Sequence, residues 1–332
     1  MLLGFAITEH CNLRCPHCIR DDVTTVRSLE PALIERTVDD ALAIFGDITV
    51  SMTGGEPLLH PELERLLAIY ADRKIPWRMV TNAWHIRREM PLLDKYPPQA
   101  MRLSLSGGTE AGHDHDRGTG SFKRVLIGAA LLTSRQIPFW FSMVVDRRVR
   151  GELRAAADLA ESMGAFGLSV ILPQPTPGAA ARNSDLSPAE WFEVAAEARA
   201  LGADPARKSR VVLDYGAPFE GPESPCQTFA EERVYVDTRG RLCLCCQLSN
   251  HGFNEAEVVA DLHVTPFAEG WPLYRKKLAA LRAAQAPDPA RPSPTDPFPC
   301  LRCVKAQKKD RWVDQFPQSA WHPGNLGAGV RA

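Results

Sequence analysis

The sequence has no surplus of charge of either sign, no long apolar run and no signal peptide. Its 332 residues carry 39 Lys and Arg against 40 Asp and Glu, so no global field attracts nucleic acid or an anionic membrane. No run of eighteen apolar residues occurs, and the N-terminus lacks the basic flank and cleavage site of a secretory signal. These absences predict a cytoplasmic protein that binds neither nucleic acid nor membrane.

Cysteine is missing from the middle of the chain, between Cys18 and Cys226. Three cysteines lie near the N-terminus and six near the C-terminus. In a reducing compartment, clustered cysteines favour metal ligation or chemistry over disulfides. Two separate metal-binding regions are therefore expected.

Short apolar runs alternate with segments of helical period through the first 200 residues. Strands are expected at 2–8 and near 47–52, 76–81, 100–105, 138–145 and 167–172. Helices are expected at 29–45, 61–73, 85–95, 121–135 and 150–163. Six strands alternating with helices predict parallel pairing through right-handed crossovers, and therefore an α/β domain that is barrel-like or doubly wound.

The composition changes after an expected helix at 187–202. We predict a first domain at 1–204, a smaller second module at 205–313 and a C-terminal tail at 314–332. In the second module a hairpin is expected to turn at residues 238–240 (TRG). Six prolines in residues 286–299 predict an irregular connector that leads to Cys300 and Cys303.

The N-terminal cysteines form a C-x3-C-x2-C motif at the end of the first predicted strand: Cys11, Cys15 and Cys18. Three thiolates can hold three irons of a cubane and leave the fourth iron open, whereas a closed cluster or a structural zinc needs four ligands. The second predicted strand ends in residues 54–57 (GGEP), where glycines permit close backbone approach and a carboxylate is available.

The two motifs together resemble the radical S-adenosylmethionine (SAM) superfamily. The resemblance implies a partial (β/α)6 barrel in which the open iron of a [4Fe-4S] cluster chelates the amino and carboxylate groups of SAM. It makes the three N-terminal cysteines the cluster ligands. It also implies a set of cofactor-binding residues: Gly54, Gly55, Glu56, Asn82, Ser104 and Arg117. Two positions depart from the family pattern: Ala83 replaces the usual Gly, and Ser106 replaces a common Asp near the ribose.

The second module resembles the twitch or SPASM extension of radical SAM enzymes. The resemblance implies a small β-hairpin and helix module with one auxiliary [4Fe-4S] cluster, in its shorter single-cluster form. The implied ligands are Cys226, Cys245, Cys300 and Cys303. A zinc site with the same four cysteine ligands is the structural alternative.

Two cysteines of the second module, Cys243 and Cys246, are left over. Strand alternation predicts that Cys243 shares a face with Cys245, which it could replace as a ligand, and that Cys246 points to the opposite face. Either residue is a candidate donor of a hydrogen atom to a substrate radical, with Cys246 preferred. The alternative is that both are small buried packing residues.

Residues 113–116 (HDHD) have three alternative interpretations: an independent metal site, polar groups that bind substrate beside the barrel mouth, or a solvated surface loop. Adjacent residues point in different directions, which disfavours the metal site.

The resemblance implies that SAM is cleaved to a 5′-deoxyadenosyl radical, which abstracts hydrogen from an unactivated C–H bond. The chain starts at the first barrel strand, without the winged-helix domain that binds leader peptides, and this favours a small-molecule substrate. We expect epimerisation or dehydrogenation of a carbinol carbon in an aminoglycoside or aminocyclitol intermediate, with a flavodoxin- or ferredoxin-type electron donor. The alternatives are a ribosomal-peptide maturase that forms thioether or C–C bonds, and a zinc-stabilised protein without catalytic activity.

Overall fold

The computed structural model of the chain describes residues 1–19, 26–214, 226–248, 254–285 and 299–326. Its strands form one mixed sheet in the order β10-β9-β8-β1-β2-β3-β4-β5-β6-β7. The strands are β1 Leu2–Thr8, β2 Thr49–Gly54, β3 Trp77–Thr81, β4 Ala100–Leu105, β5 Phe139–Val144, β6 Gly167–Ile171, β7 Arg210–Leu213, β8 Arg233–Val236, β9 Arg241–Cys243 and β10 Val258–Asp261.

Helices follow most of the parallel strands, as crossover connections require. Over the described residues they are α1 Pro31–Phe45, α2 Leu63–Asp72, α3 Ile86–Lys95, α4 Glu110–Arg117, α5 Ser121–Ser134, α6 Leu153–Ser162, α7 Pro177–Ala181, α8 Pro188–Ala203, α9 Phe267–Ala284, α10 Pro299–Ala306, α11 Asp310–Val313 and α12 Pro323–Leu326. Helix α8 begins with a capping box between Ser187 and Glu190. No described helix is long and apolar enough to cross a membrane.

The partial α/β barrel is confirmed, and all six expected strands are present. The sheet is larger than expected, because β7 pairs with β6, β8 pairs in parallel with β1, and β9 and β10 continue the sheet beyond β8. All four added strands lie beyond residue 204, so the sheet runs across the domain boundary that the sequence suggested. Strand β7 was missed because it has only four residues.

The hairpin at residues 238–240 is confirmed. Strands β8 and β9 pair antiparallel, and Gly240 adopts a φ of 73°, a left-handed conformation that glycine permits without strain. The proline-rich connector at 286–299 lies outside the described residues except for Pro299, where α10 begins. The C-terminal tail packs back onto the barrel, because Trp321 stacks on Trp191 of α8 and donates from Nε1 to the carbonyl of Pro173 at 2.8 Å.

Alternation along the strands separates an apolar face from a polar one. Leu3, Phe5 and Ile7 of β1 are fully buried in the main core with the helices, whereas the intervening Gly4 and Ala6 lie on the other face, which we call the inner face. On β4, β5 and β6 the inner face carries three serines that are register partners: Ser104, Ser142 and Ser169. The fold therefore places a row of hydroxyl groups inside the barrel.

Candidate active site

The C-x3-C-x2-C motif occupies the loop that leaves β1. All three cysteines are partly exposed and free of disulfides, and the backbone N–H of Cys18 donates to the carbonyl of Cys15 at 3.1 Å. The loop is held from the far side of the barrel, because Oγ1 of Thr176 donates to the carbonyl of Pro16 at 2.7 Å. The thiols are therefore accessible on a loop whose backbone is fixed.

Gly54 and Gly55 let the end of β2 approach this loop. The backbone N–H of Gly55 donates to Thr8 and that of Glu56 donates to His10, both at 2.7 Å. A Cβ atom on Gly54 would collide with the carbonyl of Thr8, and one on Gly55 would collide with that of His10. Gly54 also has a φ of 127°, outside the range of other residues. Because these two residues have no side chain, the end of β2 can lie against the backbone of residues 8–10, and this contact holds the start of the cysteine loop.

The side chain of Glu56 bonds to residues at or just after the ends of β2 and β3. Its side chain is fully buried and accepts hydrogen bonds from Thr81 Oγ1 at 2.7 Å, from Asn82 N at 2.7 Å and from Leu58 N at 3.1 Å. Burial raises the pKa of this carboxyl, and the three donors oppose that rise. In this structure Glu56 joins the end of β2 to the end of β3, and its expected contact with SAM stays a prediction.

Asn82, which the resemblance implied as a cofactor-binding residue, reaches the cysteine loop in this structure. Its Nδ2 donates to Oδ1 of Asn12 at 2.9 Å and lies 3.9 Å from Sγ of Cys11. Burial raises the pKa of Cys11, whereas the N–H of Leu13 and the charge of Arg117 lower it. The next residue, Ala83, has a φ of 64°, which is the conformation that explains why the family usually has glycine there.

Arg117 meets Ser106 rather than Ser104. Its Nε donates to Ser106 Oγ at 2.6 Å, and the N–H of Ser106 donates to Nδ1 of His113 at 3.2 Å. Burial lowers the pKa of His113 to about 3, which keeps the ring neutral and able to accept this bond. Ser104 lies apart from this group, on the inner face of β4. The expected contacts of Ser104 and Arg117 with SAM stay predictions.

Residues 113–116 lie on α4, not in a surface loop. Asp114 accepts hydrogen bonds from Ser121 Oγ and from the N–H of Phe122, so it stabilises the start of α5. Across the described ranges, no three His, Cys, Asp or Glu side chains converge on a single-ion site. The ligands of a cubane stay further apart than those of one ion, because each binds a different iron.

Asp116 is the residue of this run with the most partners. Its carboxylate, 3% exposed, lies 3.5 Å from His17, 3.0 Å from His115, 3.2 Å from Arg148 and 3.5 Å from Arg182. Burial alone would raise the pKa of Asp116, but bonds from His17 and His115 and the charge of Arg148 hold it well below its ordinary value. Because His17 lies between two motif cysteines, Asp116 fixes the cysteine loop to α4.

The four expected auxiliary ligands lie around one cavity, which we call the four-cysteine cavity. Its lining includes Cys226, Cys245, Cys300 and Cys303 together with apolar side chains such as Phe229, Leu244, Leu281 and Val304. Burial and the neighbouring Cys300 raise the pKa of Cys303 to about 12. An apolar cavity lined with four thiols suits an iron–sulfur cluster, whose ligands each bind a different iron, better than a single zinc ion.

The two remaining cysteines do not alternate as predicted. Strand β9 ends at Cys243, and Cys243 and Cys246 both pack against one small cluster containing Ala6 of the inner face, whereas Cys245 lines the four-cysteine cavity. Cys243 is fully buried, and its Sγ donates to the carbonyl of Arg241 at 3.5 Å. Cys243 is thus buried away from the four-cysteine cavity, which favours its interpretation as a packing residue.

Cys246 is partly exposed and adjoins both regions. The hydrogen bond between the two thiols raises the pKa of Cys245 and lowers that of Cys246. The charges of Arg233 and Asp214 also act on Cys246. It thus lies between the four-cysteine cavity and the inner face of the barrel.

Sequence reasoning missed several residues that hold the site. Thr176 precedes a proline and caps α7, so its role as a helix cap was readable, but its bond to the cysteine loop was not. Asp116 stood within a noted motif without an assigned role. Gln285, whose Nε2 lies 3.1 Å from Sγ of Cys303, carries no sequence signal at all.

The sequence has curated relatives in several enzyme classes. Residues 5–160 match the family model described as the radical SAM superfamily. An AdoMet-dependent heme synthase of Methanosarcina barkeri is 28% identical over 196 residues, covering 58% of this chain and 56% of the relative. A PqqA peptide cyclase of Gluconobacter oxydans is 24% identical over 269 residues, covering 79% of this chain and 72% of the relative. The chain spans little more than half the length of the heme synthases it matches.

Solved structures agree in fold. SuiB of Streptococcus suis bound to S-adenosylmethionine has a TM-score of 0.69 at 16% identity, covering 83% of this chain and 67% of that protein. The anSMEcpe structure with bound AdoMet has a TM-score of 0.65 at 16% identity, covering 83% of this chain and 82% of that protein. The residues matched by the family model include the cysteine loop at the end of β1. Residues 5–160 therefore form a radical SAM domain, and the cofactors of such a domain are a [4Fe-4S] cluster and SAM.

Proposed function

We propose that the chain abstracts hydrogen from a carbinol C–H bond of a small polar molecule, such as an aminoglycoside or aminocyclitol intermediate, beside an auxiliary [4Fe-4S] cluster. One observation carries this proposal: Cys226, Cys245, Cys300 and Cys303, which are scattered through the last third of the sequence, line one cavity. The module that holds them is joined to the barrel through the pairing of β8 with β1. A second redox centre therefore fits close to the barrel.

The cysteine loop suits a [4Fe-4S] cluster with one open iron. Its three thiols are accessible, and the ring of His17 in the same motif contacts Asp116. When bound, the cluster and SAM supply the 5′-deoxyadenosyl radical. The protein's own part is to fix the loop: Thr176 holds Pro16, and Asp116 holds His17. A fixed loop keeps the reacting carbon and the radical source in one geometry, which is the contribution that rate enhancement by orientation requires.

The inner face of the barrel suits a hydroxylated substrate. Ser104, Ser142 and Ser169 form a row across three strands, and Ser169 Oγ donates to Oδ2 of Asp214 at 2.8 Å. The same oxygen accepts from Nη1 of Arg102 at 2.6 Å. Hydroxyl groups and a carboxylate–guanidinium pair recognise polar groups through directed hydrogen bonds. These side chains support a polyhydroxylated ligand over an apolar one.

Cys246 supports epimerisation over dehydrogenation. It packs against Ala6 of the inner face, so a substrate in the barrel can reach it without crossing the four-cysteine cavity. In this step the S–H bond of Cys246 breaks and a new C–H bond forms on the opposite face of the substrate carbon. The sulfur radical left behind must regain one electron and one proton, and we assign the electron to a flavodoxin- or ferredoxin-type donor.

A peptide substrate is the second candidate. The observation that favours it is the match to a PqqA peptide cyclase, which extends over 79% of this chain, and the fold shared with SuiB, which has been solved bound to precursor peptide SuiA. A maturase would join peptide side chains through a thioether or C–C bond. Incubation of the reduced enzyme with aminocyclitol substrates and with candidate precursor peptides separates the two, because only the true substrate accelerates formation of 5′-deoxyadenosine.

A zinc-stabilised protein without catalytic activity is the alternative of another class. Anaerobic purification followed by metal analysis tests it. Two cubanes give about eight irons per chain, whereas a zinc site gives a colourless protein with about one zinc. Iron near four per chain would retain the radical SAM cluster and remove the proposed auxiliary cluster.

A further inference from the structure

A buried glutamine lies against one sulfur of the four-cysteine cavity. Gln285 follows the last turn of α9 and is only 7% exposed. Its Nε2 donates to Sγ of Cys303 at 3.1 Å, which is short for a bond between nitrogen and sulfur. The amide of Gln285 is thus directed at one ligand of the proposed auxiliary cluster.

Both ends of Gln285 are fixed. Its backbone N–H donates to the carbonyl of Arg282 at 3.2 Å, within the same helix end. Its own carbonyl accepts from Nη1 of Arg302 at 3.4 Å, and Arg302 precedes Cys303 on α10. The side-chain Oε1 is buried and has no hydrogen-bond partner among the described residues. Rotating the amide would place this oxygen against the sulfur, so the orientation with nitrogen toward Cys303 is the favourable one.

The bond to Cys303 is shorter than the side-chain contact of Asn82 Nδ2 with Cys11 Sγ at 3.9 Å, and it differs in kind from the backbone N–H···S bonds in the two cysteine regions. Cys245 Sγ receives the backbone N–H of Gln247 at 3.4 Å, and Cys11 Sγ receives that of Leu13 at 3.4 Å. Those donors belong to the backbone and persist in any side-chain variant. The donor to Cys303 is a side chain, so this chain can gain or lose it by a single substitution.

We propose that Gln285 raises the reduction potential of the auxiliary cluster by donating a hydrogen bond to the Cys303 thiolate. The inference rests on the proposed function, since it requires a cluster in the four-cysteine cavity. Reduction makes the ligating sulfurs more negative, so an N–H donor stabilises the reduced state more than the oxidised one. A cluster with a higher potential accepts an electron more readily. Gln285 is therefore a positioning residue that acts through Cys303 on the redox balance of the site.

The test is a redox titration of the reconstituted full chain followed by electron paramagnetic resonance, for the wild type, Gln285→Leu and Gln285→Glu. We expect unchanged iron content, a lower midpoint potential for the auxiliary signal in Gln285→Leu, and a larger decrease in Gln285→Glu, which places a carboxylate against the sulfur. The signal of the first cluster serves as the internal reference. Gln247→Leu is the matched control, because it removes a second glutamine from the same cavity but keeps the backbone N–H on Cys245.

A second readout addresses the bond itself. In the reduced wild type, electron nuclear double resonance is expected to detect an exchangeable proton coupled to the auxiliary cluster that disappears in Gln285→Leu. An unchanged midpoint potential, or retention of that proton, would overturn the inference. Loss of the auxiliary iron in both Gln285 variants, with the first cluster intact, would assign Gln285 a structural role and also overturn it. Absence of a second cluster in the wild type would instead overturn the proposed function.

Discussion

Replacing Glu56 by Gln separates a structural role of this carboxylate from a direct contact with SAM. The carboxylate receives three donors, from Thr81 Oγ1, Asn82 N and Leu58 N, and is fully buried. Both oxygens are used, because Oε1 accepts from Thr81 and Leu58 and Oε2 accepts from Asn82. In the variant the amide oxygen can keep the first two bonds, but the new NH2 group then faces the N–H of Asn82.

The expected loss of unfolding free energy follows from the hydrogen bonds that the variant cannot make. One hydrogen bond to a charged acceptor is lost and one buried donor is left unpaired, which together cost about 1.5–3 kcal/mol. Burial disfavours the charged carboxylate, as the raised pKa of Glu56 indicates, so a neutral amide at this position loses less solvation free energy on folding. This difference offsets part of the loss of hydrogen bonds. We therefore expect the apoprotein of Glu56→Gln to lose about 1–3 kcal/mol of unfolding free energy.

Urea denaturation of the apoprotein measures this quantity without any cofactor. Glu62→Gln is the matched control: Glu62 is half-exposed in a surface ion pair with Arg65, so its loss is expected to change stability by less than about 0.5 kcal/mol. If Glu56→Gln leaves apoprotein stability unchanged while the affinity of the holoenzyme for SAM falls, the carboxylate meets the cofactor directly. That result would refute the structural role assigned here.

Three further predictions concern the cysteines and the buried carboxylate of α4. Changing all three cysteines in residues 11–18 to Ala should abolish reductive cleavage of SAM and leave about four irons per chain in the second module; complete loss of iron from a folded variant would contradict separate sites. Cys246→Ala should still form 5′-deoxyadenosine but yield no inverted product, whereas Cys243→Ala should retain product formation. Wild-type turnover in deuterated water should place deuterium at the inverted carbon. A product two hydrogens lighter without deuterium would establish dehydrogenation. Because the folded pKa of Asp116 is lowered, its contribution to stability is present above the ordinary carboxyl pKa and is lost as the pH falls. The stability difference between wild type and Asp116→Asn should therefore shrink in urea titrations between pH 7 and pH 3, and a constant difference would reject the ion-pair account.

The barrel was predictable because its signals are local. Leu3, Phe5 and Ile7 alternate with small residues along β1, and this period of two identifies a strand from the sequence alone. Two elements of the barrel region were not predicted from the sequence, because their local patterns are weak. Strand β7 has four residues, and α4 contains Gly112 and several polar residues, so neither gives a clear periodic pattern.

The sequence by itself determined which chemistry is available: three thiols in a short loop, two glycines before an acid, and a second group of cysteines after a change in composition. Only the tertiary structure decided which of these groups meet. It put Cys243 and Cys246 beside one cluster, turned Glu56 inward and directed Gln285 at Cys303. The physical reason is the range of the interactions. Periodicity and turn chemistry act within a few residues, whereas contacts between side chains far apart in sequence depend on strand order, on register and on where a short strand such as β9 ends.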